Sequence, residues 1–172
     1  MAPPLYRSQT RLCAVANLPT TLRNALITHA DAKHINLVST QAWVTHRENP
    51  PATGLFGKMF KRRSNPADPD AEHDMLLVLH ATHLLVGTAG AVRGASVMSL
   101  PLLQASVVRG SAVAAQFAGR IDAPEDDGLT ISGFPGHEGR PGTYFFGLGA
   151  GDDAQTCVNA VLAAVAAAKN PA

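Results

Sequence analysis

Asp152-Asp153-Ala154-Gln155-Thr156-Cys157-Val158-Asn159-Ala160-Val161-Leu162-Ala163-Ala164-Val165-Ala166-Ala167-Ala168-Lys169 decides the fold class. Cys157, Val158, Val161, Leu162 and Val165 recur at i, i+1, i+4, i+5 and i+8, which is one apolar stripe on a helix. Asp152 reads as the N-cap and Gln155 completes a capping box. Lys169 opposes the negative end of the dipole, and Pro171 forbids continuation. A helix with a single apolar stripe needs a surface to cover, and the residues before it supply strands.

Immediately upstream, Leu129-Thr130-Ile131-Ser132 alternates and Thr143 to Leu148 is an aromatic β run. The glycine-rich loop 133–142 joins them into a hairpin, with His137, Glu138 and Arg140 at its tip. Further back, Met75-Leu76-Leu77-Val78-Leu79 and Leu84-Leu85-Val86-Gly87 flank a polar break at His80-Ala81-Thr82-His83, a second hairpin carrying much of the core. Ala95 to Val108 reads as a strand or a pair interrupted by Pro101, which sets an edge, bulge or turn. Arg109 to Ala118 fits either a strand or a short helix.

The N-terminal half is less regular. Residues 1–18 are expected to be partly disordered, and Pro19 to Ile27 forms a short helix with Leu22, Ala25 and Leu26 on one face. Ile35 to Thr45 turns strand-like and contains Trp43, the sole tryptophan, expected as an anchor of core or rim. Residues 47–74 are broken by Pro50, Pro51, Gly54, Gly57, Pro66 and Pro69 into a long loop. Residues 19–172 then make one domain, as the length of 172 residues suits.

Composition narrows the function classes. Charged residues are 16%, below the usual ~25%, and the formal net charge is +1, so no global field draws in nucleic acid. Cys13 and Cys157 lie 144 positions apart without zinc spacing, so two free buried thiols in a reducing compartment are expected. No apolar run reaches the ~20 residues a bilayer needs, and the apolar stretch at 12–16 is too short for a signal peptide. These features place the chain in the cytoplasm, free or peripheral to a membrane.

In sum the sequence predicts an α+β, mostly β fold. An antiparallel curled sheet or partly open barrel is closed by one C-terminal amphipathic helix, with a short N-terminal helix added. This order resembles the bacterial branch of the pleckstrin-homology-like family. A strand ending in a Thr-containing turn leads to a second apolar strand, as in Leu77 to Val86. A Gly-ended strand, Tyr144-Phe145-Phe146-Gly147-Leu148-Gly149, then enters the terminal helix. The resemblance spans roughly residues 35–169 and rests on order and pattern. Two departures are the long loop after the first long strand, and Val and Ala where many such helices carry an aromatic residue. The resemblance implies a module that binds phosphoinositides, peptides or partner proteins, with no cofactor.

Gly54-Leu55-Phe56-Gly57-Lys58-Met59-Phe60-Lys61-Arg62-Arg63 is the strongest local candidate for contact. Lys58, Lys61, Arg62 and Arg63 can attract anionic headgroups at about 1 kcal/mol each, while Phe56 and Phe60 can insert. Its placement is similar to the first interstrand loop of lipid-binding pleckstrin-homology domains. The plain alternative is a solvated linker. His73, His80 and His83 suggest a metal, but two histidines at i and i+3 of one strand face opposite ways. Convergence requires Ala81-Thr82 to turn, and no third ligand follows at suitable spacing, so no metal is expected. Gly147 to Gly151 reads as a strand-to-helix turn rather than a phosphate cradle, because Asp152 and Asp153 already occupy the positive helix end. Asp122, Glu125, Asp126 and Asp127 read as an acidic loop, and no serine sits in a nucleophile elbow. The expected function is a non-catalytic binding module that contacts anionic lipid or an acidic protein partner through residues 56–63. The alternative is a structural, self-assembling domain without a small ligand, and the oligomeric state is open.

Overall fold

A computed structural model describes residues 5–52, 63–110 and 127–171. Among the described residues, eight strands and two α-helices follow in the order β1 (Arg7–Cys13), α1 (Thr20–Ala32), β2 (Gln41–Glu48), β3 (Glu72–Leu79), β4 (His83–Gly90), β5 (Gly94–Pro101), β6 (Ser106–Arg109), β7 (Gly128–Pro135), β8 (Pro141–Gly147) and α2 (Asp152–Lys169). They build an α+β fold with two antiparallel sheets, of order β1-β2-β3-β4-β5 and β6-β7-β8.

The sheets do not close into a barrel, which corrects the barrel expected from sequence. The break is at Pro101, where β5 ends. The N–H groups of Gln104 and Ala105 turn back onto the Pro101 carbonyl at 2.9 and 3.2 Å. This tight turn redirects the chain, and β6 starts a new sheet instead of extending the old one.

Period-two alternation decides what each face of the five-stranded sheet meets. Ala42, Val44, Leu76, Val78 and Leu85 face α1, whose Leu22, Leu26 and Ala30 cover them together with Leu18 just before the helix. Trp43, Leu77, Leu84, Val86 and Leu100 face the other way. There they join Leu129, Ile131 and Phe146 of the small sheet and Cys157, Val158, Val161 and Val165 of α2. The terminal helix therefore covers the sheet through the expected stripe, with Leu162 only partly buried.

Several local expectations change. Arg7–Cys13 is a strand paired with β2 along its whole length, where sequence reading placed partial disorder. The first helix runs on to Ala32, because its stop is a Schellman motif with histidine in the glycine position. His34 adopts φ 56°, its N–H reaches Asp31 O at 3.2 Å, and Ile35 N–H reaches Ala30 O at 2.9 Å. The strand sought over 35–45 begins only at Gln41 and extends to Glu48. At α2 the N-cap is Gly151, without a side-chain cap bond. Gln155 instead accepts from Arg109 Nη1 at 2.8 Å, and Asp153 Oδ2 accepts the Leu12 N–H of edge strand β1 at 2.9 Å. The capping box is absent because Asp152 lies inside the helix as its first residue and Gln155 is engaged by Arg109 of β6.

Candidate site between the two sheets

The site grows out of the cross-strand register. On the face opposite α1, three successive rows cross the large sheet. Leu12, Trp43, Leu77, Val86 and Met98 form the first, which is apolar throughout. Thr10, Thr45, Met75, Thr88 and Ser96 form the second, where hydroxyl groups replace aliphatic chains. Ser8, Arg47, His73, Gly90 and Gly94 form the third. The core face thus shifts from apolar to charged along the strands, and the β4–β5 side loses bulk as it does so. The space beside Gly90 is filled by the Asp70 carboxylate, whereas Thr88 and Ser96 are too small to reach the second sheet. Between them and β8 lies a cavity of about 470 Å³, floored by Met75, Val86 and Met98 and walled by Phe146.

A polar network lines its open end. Asp68, whose side chain is 3% exposed, accepts from Tyr6 Oη at 2.5 Å and from the Asp70 N–H at 3.0 Å, and pairs with Arg93 Nη2. Burial alone would raise the Asp68 carboxyl, but these donors together hold it down to about 2. Arg93 Nε also binds Asp70 at 2.7 Å, and Asp70 receives the Val92 N–H at 2.7 Å. Gly90 permits this arrangement, because a Cβ there would collide with the Asp70 carboxylate. The Arg47 guanidinium lies 4.0 Å from the centre of the Tyr6 ring, donates to Ser8 Oγ at 3.2 Å and lies 3.7 Å from Met75 Sδ.

His73 is the outlier of the group. It is 4% exposed, stands edge-on to Tyr6 with 5.6 Å between ring centres, and its Nδ1 makes no hydrogen bond. Asp68 Oδ2 lies 3.5 Å from that nitrogen without hydrogen-bond alignment. Burial, reinforced by Arg93 and opposed by Asp68, lowers the His73 imidazole to about 4, so it is neutral near pH 7. An imidazole held neutral and occluded in this way is poorly placed for proton transfer near pH 7.

Of the sequence candidates Lys58, Lys61, Arg62, Arg63, Phe56 and Phe60, only Arg63 falls within the described residues. It is exposed, pairs with Pro51 in an antiparallel bridge, and donates from Nη1 to Asn49 O at 3.1 Å. Asn49 exchanges bonds with Asn65, through Nδ2 to Asn65 O at 2.8 Å and from Asn65 N–H to Oδ1 at 3.0 Å. Asn65 Nδ2 donates to Tyr6 Oη at 2.8 Å. A continuous chain of hydrogen bonds therefore runs from the stem of the basic segment to the cavity network. Asp122, Glu125 and Asp126 lie outside the described residues.

The three histidines part company. Ala81-Thr82 does turn, and Thr82 Oγ1 lies 3.1 Å from His80 Nδ1 and 2.8 Å from His83 Nδ1. His73 faces the cavity at the far end of β3. Among the described residues no three His, Cys, Asp or Glu side chains gather as a metal site would require. Neither is any helix there long and apolar enough to cross a membrane. Cys13 and Cys157 are both free, and burial pushes the Cys157 thiol up to about 12.

Tyr6, Arg47, Asp68 and Arg93 were not singled out from sequence, and His73 was weighed there only as a metal candidate. Two of them carried a signal: Arg47 and His73 continue the parities of Trp43, Thr45 and of Leu77, Met75. Scans of protein-family models, of curated proteins and of solved structures found no match to the chain.

Proposed function

We propose that this chain is a non-catalytic binding module of pleckstrin-homology-like build, and that it contacts an anionic membrane surface at the open end of its large sheet. One observation carries the reading. The bridge between Pro51 and Arg63 brings together the described residues on either side of the segment that carries the cations, and Arg63 is linked through Asn49 and Asn65 to Tyr6. The meander of antiparallel strands followed by a terminal helix supports the family likeness.

Three lysines and arginines at about 1 kcal/mol each contribute at most ~3 kcal/mol to binding, about 150-fold in affinity. Sedimentation with vesicles of phosphatidylcholine alone, or mixed with phosphatidylglycerol, tests this at low and physiological salt. The wild-type chain is expected to pellet with the anionic vesicles and to release as salt rises, and K58A/K61A/R62A to remain in the supernatant. No pelleting at low salt, or pelleting that the triple variant retains, would overturn the reading and leave an acidic protein as the partner to seek.

A further inference from the structure

We propose that the free edge of β8 takes up an extended peptide of a partner protein as a fourth strand of the small sheet. Apolar side chains of that peptide enter the space between β8 and the large sheet. This goes beyond the surface contact above and does not depend on it.

The ladder shows which backbone groups of β8 are unused. Leu148 N–H reaches Asp127 O at 2.7 Å, and Gly110 N–H reaches Gly128 O at 2.9 Å. Bonded and non-bonded pairs alternate along an antiparallel ladder. Carried along the register, these two bonds turn the backbone groups of Tyr144 and Phe146 towards Ile131 and Leu129, and those of Thr143 and Phe145 away from β7. β8 is the last strand of its sheet, and among the described residues the N–H and C=O groups of Thr143 and Phe145 have no partner. Open edges are ordinarily blunted by charge, proline or a covering segment. The edge of β1 is covered: Asp153 takes the Leu12 N–H at 2.9 Å, and Gly149 lies so close to Ser8 O that a Cβ would collide. Gly142-Thr143-Tyr144-Phe145-Phe146-Gly147 carries neither charge nor proline.

An added strand also finds room for its side chains. Tyr144, Phe145 and Phe146 all line the space although their side chains alternate between faces, so the space runs along the strand's edge. Residues directly opposite in a ladder share a face. Those opposite Tyr144 and Phe146 therefore point into about 470 Å³ floored by Met75, Val86 and Met98, where methionines adapt to differing shapes. Arg93 is paired with both Asp68 and Asp70, so charge there does not select the occupant. Main-chain bonds and alternate apolar side chains do, and an extended segment supplies both. A second copy paired through its own β8 does not fit. Its large sheet lies on the same face of its small sheet and would claim the volume held by the first copy's.

Fluorescence anisotropy of labelled heptapeptides, Thr alternating with Val, Leu or Met, tests this on the full chain. At least one should bind saturably, one to one; binding by none overturns the proposal. The Thr residues of such a peptide bond the edge, so N-methylation of their amides should weaken binding at least tenfold, and N-methylation of the apolar residues should not. Equal effects at both sets overturn it. Hydrogen exchange of the Thr143 and Phe145 amides should be fast in the free chain and at least tenfold slower with peptide. Slow exchange in the free chain would mean that another part of the chain already covers the edge, and it overturns the proposal, as does unchanged exchange with peptide. Thr143→Pro removes one outward N–H without touching the β7 ladder, and Ser96→Phe fills the space. Either variant, where it melts like the wild type, should bind at least tenfold more weakly; retained binding refutes the assignment. K58A/K61A/R62A should bind the peptide as the wild type does, and loss there would move the site to the basic segment and overturn the proposal.

Discussion

Replacing His73 with Gln tests the central electrostatic feature of the site. The imidazole titrates near 4 in the folded chain against 6.5 in the open. Below pH 6.5 the unfolded state therefore takes up a proton that the folded state refuses. Stability contributed by neutral His73 is complete above pH 6.5 and is lost as pH falls towards 4, at up to ~1.4 kcal/mol per pH unit. The full loss is about 3 kcal/mol, of which about 2 kcal/mol accrues between pH 7 and pH 4.5. Gln cannot titrate, so the variant lacks this component. His29 and His83 are also lowered, chiefly by burial, but they act alike in both proteins and cancel in the comparison. Urea unfolding followed by the fluorescence of Trp43, which is 1% exposed, supplies the measurement. Between pH 7 and pH 4.5 the wild type should lose about 2 kcal/mol more than His73→Gln. A ring titration of His73 by NMR should show a midpoint near 4. Parallel stability profiles, or a midpoint near 6.5, would refute the reasoning: the ring would then be solvated or charge-paired.

Asp68→Asn keeps the shape but removes the charge that Arg93 and Tyr6 address, leaving a partly buried guanidinium short of one carboxylate. Breaking such a pair costs about 3–5 kcal/mol, to be read from the urea midpoint near pH 7. The same variant should lack an acid transition. Asp68 is held at about 2 against 3.8, so its stabilisation, present above 3.8, is lost as pH falls through 2, by about 2 kcal/mol. His34→Gly should stabilise the chain by up to ~1 kcal/mol, measured as a rise in Tm, because glycine holds φ 56° without the Cβ penalty. An unchanged or lower Tm would show that the His34 side chain compensates for its backbone. K58A/K61A/R62A should abolish sedimentation with anionic vesicles while leaving the urea midpoint within about 0.5 kcal/mol of wild type.

The parts of the fold legible in sequence are those where one physical signal dominates. Continuous apolar runs at 75–79 and 84–87 and the helical stripe of 157–165 admit one solution each, and the structure takes it. Signals were missed where tertiary partners overrode local ones. Arg7–Cys13 is mostly polar, and becomes a strand because β2 supplies a ladder and Thr10 binds both Thr45 Oγ1 and Leu148 O. Gln155 has the spacing of a capping residue but is drawn to Arg109, forty-six positions away in sequence. The end of α1 was hidden because histidine, not glycine, takes the left-handed position.

The cavity was hidden for a different reason, and that reason bears on what it does. A core strand is found by its apolar residues, so the search stops where they stop, at Met75 on β3 and near Val44 on β2. The backbone ladder does not stop there: Arg47 still pairs with His73 and Ser8 with Arg47, on the parity that buries Trp43 and Leu77. Extending the alternation by one step places a guanidinium and an imidazole on an interior face, which hydrophobicity alone disfavours. Local propensity and burial agree across the first row of that face and disagree at the third. Such disagreements in a folded chain concentrate at functional positions, because burying these groups costs stability that an apolar pair would not. Apolar replacements at 47 and 73 would remove that cost. The third row keeps Arg47 and His73 at the end of the sheet where the apolar rows give way to the polar network of Tyr6, Asp68 and Arg93.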